Sequence, residues 1–129
     1  MRTAYVDTSC IAALALDEPG ATSLHRRLAK FEVLAASNLL EAELRATLHR
    51  ERVDDIGGAK SVLATITWVT PDRPLTGEIA TVLAAGYVRG ADCWHLATAL
   101  YFSPDAADIS FVTLDERQRK VAKALGFRA

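Results

Sequence analysis

Short apolar runs alternate with longer amphipathic segments along the chain, and the two patterns predict strands and helices in turn. The apolar runs end at polar residues, which is typical of strands buried on both faces of a sheet. They predict strands at residues 3–6, 33–36, 66–70 and 109–114. The amphipathic segments predict helices at residues 11–16, 19–30, 38–52, 54–64, 74–85, 92–102 and 116–125. Strands that alternate with helices predict a mainly parallel sheet with helices on both faces.

Turn and capping residues mark the ends of several predicted elements. Asn38 is followed three residues later by Glu41, which is the spacing of a capping box, and Ser37 is the alternative cap. The acidic pair at 54 and 55 is expected to begin the next helix. Phe127 is expected to open a short edge strand after the last helix.

Composition and charge narrow the class of protein. The 129 residues suit a single domain, 1–129, and 50% apolar residues predict a packed core. A net charge of −1 argues against a strongly basic nucleic-acid coat protein, although a local basic face remains compatible with it. Two cysteines cannot form a disulfide framework, and no apolar run is long enough to cross a bilayer. We therefore expect a soluble protein of the reducing cytoplasm.

Four acidic residues lie where the surrounding sequence favours burial. Asp7 and Asp115 directly follow predicted strands, and Glu43 and Asp92 lie within predicted helices. Each acid alone is explained by a turn or capping role. Together they would raise one another's pKa unless a cation neutralised them, and Mg²⁺ or Mn²⁺ prefers such oxygen ligands. Two hypotheses therefore remain: the four acids share one divalent cation, or each has a separate structural role. The sequence lacks His and Cys residues at the spacing of zinc ligands, which argues against zinc.

Four segments of the chain, taken together and in order, carry a resemblance to a known family. They are residues 5–9 (YVDTS), 37–44 (SNLLEAEL), 89–99 (RGADCWHLATA) and 111–117 (FVTLDER). With these segments the sequence resembles PIN-domain ribonucleases, specifically the VapC-type toxins of bacterial toxin–antitoxin pairs. The resemblance spans nearly the whole chain.

The resemblance implies an α/β/α sandwich and a metal-dependent endoribonuclease that hydrolyses RNA with Mg²⁺, or Mn²⁺ in its place. It implies that the metal-binding and catalytic acids are Asp7, Glu43, Asp92 and Asp115. Thr8 or Ser9 would support Asp7 by hydrogen bonding, and Thr113 would lie beside the site. The implied partners are RNA, a small VapB-like antitoxin that blocks the site, and a second copy of the chain in a homodimer.

One position in this assignment has two candidates. Glu41 and Glu43 both lie near the start of the third predicted helix. Glu43 is chosen because the family acid is followed by leucine, as Glu43 is by Leu44, while Glu41 suits the capping role.

Several other residues have both a functional and a structural interpretation. His95 follows Asp92 by three residues, so it is either a partner of the metal-binding acids or, as we favour, a packed core histidine. Arg117 and Arg45 are candidates for contacts with RNA phosphates, and a solvated helix face is the alternative for both. Cys10 and Cys93 are best explained as small buried thiols.

Three other functions compete with the nuclease hypothesis. A PIN-like fold could act as a non-catalytic RNA- or protein-binding module, but such a module would lack one or more of the four acids. A receiver-like signalling domain would need paired acids after the first strand and a lysine that closes a late strand, neither of which is present. A DNA-directed flap-type nuclease would need a longer chain with additional acids.

Overall fold

The computed structural model describes residues 2–129, so Met1, the first residue of the predicted domain, lies outside the described residues. The strands are β1 (Thr3–Val6), β2 (Val33–Ser37), β3 (Ile66–Val69) and β4 (Ser110–Val112). The helices are α1 (Thr8–Ala15), α2 (Ala21–Leu28), α3 (Leu39–Arg50), α4 (Ala59–Leu63), α5 (Thr76–Ala85), α6 (Gly90–Phe102) and α7 (Glu116–Leu125). A 3₁₀ turn at Ala106–Asp108 precedes β4. The four strands and seven helices predicted up to residue 125 are thus all present, with shifted ends.

The four strands form one sheet in which every pair is parallel, in the order β3-β2-β1-β4. Tyr5 of β1 is in register with Ala35 of β2 on one side and with Phe111 of β4 on the other. Because all strands run the same way, their carboxyl ends lie along one edge of the sheet. The predicted parallel sheet is confirmed.

Side chains of β1 alternate between two hydrophobic cores on opposite faces of the sheet. Ala4 and Val6 pack with buried residues of α1 to α4, including Ile11 and Leu40. Tyr5 packs instead with buried residues of β4 and of α5 to α7. Helices therefore cover both faces, and the fold is the α/β/α sandwich that the sequence predicts.

The helix that follows β1 begins earlier than predicted, and this shift places an acid at the N-terminus of the helix. α1 starts at Thr8 rather than Ile11, so Asp7 becomes its N-cap and accepts a hydrogen bond from the backbone N–H of Ser9. Asp115 caps α7 in the same way, through the backbone N–H of Gln118. Both acids thus occupy defined positions between the end of a strand and the start of a helix.

Of the two candidate caps of α3, Ser37 is confirmed: its Oγ accepts from the N–H of Leu39, and Asn38 makes no side-chain cap. Two other local predictions were wrong. The helix expected at 54–64 begins only at Ala59, because Asp55 Oδ1 accepts from the N–H of Gly57 and forms a turn there. The edge strand at Phe127 is reduced to one parallel bridge between Ser110 and Arg128.

Within residues 2–129, no helix combines the length and apolar character that crossing a membrane requires.

Candidate metal centre

All four predicted acids lie at the carboxyl edge of the sheet. Asp7 and Asp115 follow β1 and β4, Asp92 lies in the first turn of α6, and Glu43 lies in the first half of α3. Partial burial raises the pKa of Asp92, and the negative charges of Asp7, Asp115 and Glu43 raise it further, while His95 lowers it. Residues from four separate parts of the chain therefore share one electrostatic environment.

Asp7 is the most enclosed of the four acids. Its residue is 4% exposed, and both carboxylate oxygens have hydrogen-bond partners. Oδ2 lies 3.1 Å from the donating backbone N of Ser9 and 3.3 Å from Thr113 Oγ1, and Oδ1 lies 3.3 Å from the donating Nε2 of Gln118. These contacts hold the Asp7 carboxylate in one orientation.

A connected hydrogen-bond network joins Asp7 to Asp115. Thr113 Oγ1 lies 2.7 Å from Gln118 Oε1 and accepts from the backbone N of Asp115 at 3.0 Å. Ser9 Oγ lies 3.4 Å from Thr113 Oγ1 and accepts from the backbone N of Leu114. Ser9 and Thr113 thus lie beside Asp7, where the sequence placed them, whereas Thr8 contacts a different acid.

Glu43 is held by two donors on its Oε1 atom. Thr8 Oγ1 donates to it at 2.8 Å, and His95 Nε2 lies within hydrogen-bond distance of the same oxygen. Burial opposes ionisation of Glu43, but the hydrogen bonds from His95 and Thr8 lower its pKa below the ordinary value. Glu41 is exposed, and two residues turn a helix by about 200°, so it points away from this cluster.

Two residues of the site were not fully recognised from the sequence. The role of His95 was underestimated, and Gln118 was missed. His95 is 1% exposed, as a core histidine would be, yet its ring contacts Glu43 and lies 3.9 Å from Asp7 Oδ1. Gln118 is fully buried and also approaches the backbone carbonyl of Asp92. A polar Gln118 in the buried stripe of α7, beside Val121 and Ala122, is the signal that could have identified it.

The two arginines proposed to contact RNA occupy different surroundings. Arg117 is exposed in the first turn of α7, two residues after Asp115. Arg45 is exposed roughly 200° around α3 from Glu43, and lines a separate open cavity of about 410 Å³ with His49 and Arg52. Arg117 is thus next to the acids, and Arg45 faces another surface.

No lysine or arginine within residues 2–129 neutralises the four acids. Among the described residues, Asp7, Asp92, Asp115 and Glu43 form no ion pair with a lysine or arginine, and the nearby Arg119 pairs with Glu116. The same part of the chain contains no group of three or more His, Cys, Asp or Glu side chains arranged to hold an ion directly. Mg²⁺ retains several of its waters, so carboxylates can hold it partly through water.

The comparison with known proteins agrees with this fold. The family model of the PIN domain matches residues 4–124, and the chain therefore belongs to the PIN-domain family. Ribonuclease VapC46 of Mycobacterium tuberculosis (strain ATCC 25618 / H37Rv) is 30% identical over 126 residues, which cover 98% of this chain and 95% of that protein. The resemblance to PIN-domain ribonucleases of the VapC type is confirmed.

The raised pKa of Asp92 leads to a prediction about stability without metal. Because the pKa is higher in the folded chain than in the unfolded one, the ionised carboxylate destabilises the fold above that pKa, and stability recovers as the pH falls through it. At pH 7, Asp92→Asn should therefore melt at or slightly above the wild-type temperature, since a lost helix-dipole interaction of up to about 1 kcal/mol offsets part of the gain.

Thermal melts followed by circular dichroism at several pH values check this prediction. The difference between the two proteins should disappear as the pH falls through the folded-state pKa of Asp92. The exposed Asp54→Asn variant is the matched control and should show no such pH-dependent difference. A strongly lowered melting temperature of Asp92→Asn at pH 7 would instead identify Asp92 as a structural residue of α6.

Proposed function

We propose that this protein is a metal-dependent endoribonuclease toxin that hydrolyses RNA phosphodiester bonds and is inhibited by a cognate antitoxin. The observation that carries the proposal is the common electrostatic environment of four carboxylates from four elements, with no lysine or arginine paired to any of them among residues 2–129. Membership of the PIN-domain family and the name of its relative, a ribonuclease, support the same activity.

The acids would hold Mg²⁺, or Mn²⁺ in its place, with Asp7 as the central ligand. Asp92 and Asp115 would complete the site directly or through water, and Glu43 would bind the ion or orient water. When bound, the ion would lower the pKa of a coordinated water and stabilise charge on the phosphoryl oxygens. Ser9, Thr113 and Gln118 keep the Asp7 carboxylate oriented, and Thr8 does the same for Glu43.

The RNA backbone needs cationic residues at the rim of this acidic site. Arg117 is the best placed, because it is exposed beside Asp115. Arg45 would contact RNA farther away, with His49 and Arg52 along the same cavity. Binding that depends on few phosphate contacts should weaken with rising salt concentration.

The partners and location follow from the same proposal. We infer a small VapB-like antitoxin that covers the acidic site, and a homodimer, which the exposed apolar side chains of Leu83 and Tyr87 support. An RNA substrate and two free, buried thiols, Cys10 and Cys93, support a place in the cytoplasm. The match over residues 4–124 supports a single PIN domain for the chain.

Mapping of cleaved RNA ends tests the proposed function. The purified chain, incubated with RNA and Mg²⁺, should produce discrete internal cuts with 5′-phosphate ends, since water rather than the 2′-hydroxyl attacks the phosphorus. Addition of the cognate antitoxin should suppress the cuts. RNA that is bound but remains intact would contradict the nuclease assignment and favour a non-catalytic binding module.

A further inference from the structure

A buried chain of hydrogen bonds runs from the backbone of β2 to Glu43. The N–H of Ser37 lies 3.0 Å from the hydroxyl of Tyr5, and that hydroxyl lies 3.1 Å from Nδ1 of His95. The other ring nitrogen of His95, Nε2, contacts Glu43 Oε1. Tyr5 and His95 are 0% and 1% exposed, so water does not substitute for these contacts.

The chemistry of the last link fixes a hydrogen on Nε2 of His95. An ionised carboxylate can only accept, so the hydrogen of the contact with Glu43 lies on Nε2. At the other end, the backbone N–H of Ser37 donates to the Tyr5 oxygen, and the same hydroxyl contacts Nδ1 of His95. His95 is therefore held through both of its ring nitrogens.

The same contacts leave the two oxygens of Glu43 unequal. Oε1 accepts from His95 and from Thr8, at 2.8 Å in the second case. Within residues 2–129 no donor contacts Oε2. The side chain of Glu43 is 30% exposed, so Oε2 is accessible for a further interaction.

We propose that His95, held by Tyr5 at Nδ1 and donating from Nε2, is a positioning residue that turns Glu43 so that Oε2 faces the divalent ion or its water. This inference rests on the proposed metal-dependent function, because it assigns His95 and Tyr5 to the same site. It also explains why a histidine and a tyrosine are buried together between β1 and α6, where two apolar residues would pack as well.

The hydrogen on Nε2 of His95 is the first test, and it needs neither metal nor RNA. In the ¹⁵N-labelled metal-free protein at pH 7, ring ¹H–¹⁵N correlations should show His95 with Nε2 protonated. His95→Gln identifies the signals of that ring among the three histidines of the chain. Tyr5→Phe removes the contact at Nδ1 and should shift the signals of the same ring. A wild-type His95 ring without a hydrogen on Nε2 would overturn the proposal.

A double-mutant cycle on Mn²⁺ affinity is the second test, because it shows whether His95 acts through Glu43. His95→Phe should weaken Mn²⁺ binding by about 10- to 100-fold, as loss of a ligand-orienting partner does, and His95→Gln, which keeps a donor toward Glu43, should recover part of this. In a Glu43→Gln background, His95→Phe should have almost no further effect. The exposed His25→Phe variant is the control and should bind like wild type.

Additive effects of His95→Phe and Glu43→Gln on Mn²⁺ affinity would overturn the positioning role. If His95→Phe does not fold, His95→Gln and Tyr5→Phe take its place in the cycle. A protein that passes both tests but leaves RNA intact would contradict the proposed function alone, so the two failures can be told apart.

Discussion

Replacing Asp7 with asparagine should reduce RNA cleavage by at least about a hundred-fold while the protein remains folded. The loss should be large because Asp7 is the central, most buried acid and would hold the ion with a full negative charge. Asparagine is also a good N-cap, so the start of α1 should survive the change. Quantified cleavage of a defined RNA, together with a thermal melt of each protein, measures the two effects separately.

The exposed Asp17 provides a matched control for this substitution. Asp17 has a positive φ of 50°, a conformation that asparagine tolerates well, and it lies outside the acidic cluster. Asp17→Asn should therefore cleave RNA like wild type. A folded Asp7→Asn protein that retains cleavage within a few-fold of wild type would remove Asp7 from the role of central ligand.

Removal of divalent cations should abolish cleavage altogether. Without a cation, Asp7, Glu43, Asp92 and Asp115 repel the phosphodiester of RNA, and the water that the ion would activate is lost. EDTA should reduce cleavage to background, and excess Mg²⁺ or Mn²⁺ should restore it. Mg²⁺ should also raise the melting temperature of the wild-type protein more than that of Asp92→Asn, because a ligand stabilises the folded state that binds it.

The controls for chelation separate an effect on the protein from an effect on RNA. A metal-independent ribonuclease, assayed on the same RNA in the same buffer, should remain active in EDTA. The melting temperature of this protein in EDTA should show that it stays folded. Cleavage that persists in chelator, at a rate comparable to that in Mg²⁺, would contradict metal dependence.

Much of the fold could be predicted because its signals are local. The β-branched and apolar runs of β1 and β4 are interrupted by polar residues at Asp7 and Thr113, and the period of α7 ends at Gly126. The predicted helix boundary was wrong where the hydrogen bond of a single side chain overrides the hydrophobic periodicity. At Asp55 an aspartate closes a turn with the N–H of Gly57, and the expected helix begins four residues later than that aspartate.

The acids of the candidate site could be named because carboxylates inside apolar segments are conspicuous in a sequence. Their neighbours could not, because the partners are distant along the chain. Gln118 and Asp7 are 111 residues apart, and His95 and Tyr5 are 90 apart. The local sequence around a buried tyrosine or glutamine is the same whether its polar atoms bind an acid or a backbone group. Only the tertiary structure shows which partner is present.

The most direct test of whether these carboxylates form one metal site is anomalous diffraction. The data would be collected at the manganese absorption edge from crystals of the protein soaked in Mn²⁺. An anomalous peak is expected between Asp7, Asp92 and Asp115, with Glu43 in contact with the ion or its water, and no peak is expected there in Asp7→Asn crystals. A peak confined to other surface acids, or an unchanged peak in the Asp7→Asn protein, would contradict a shared metal site.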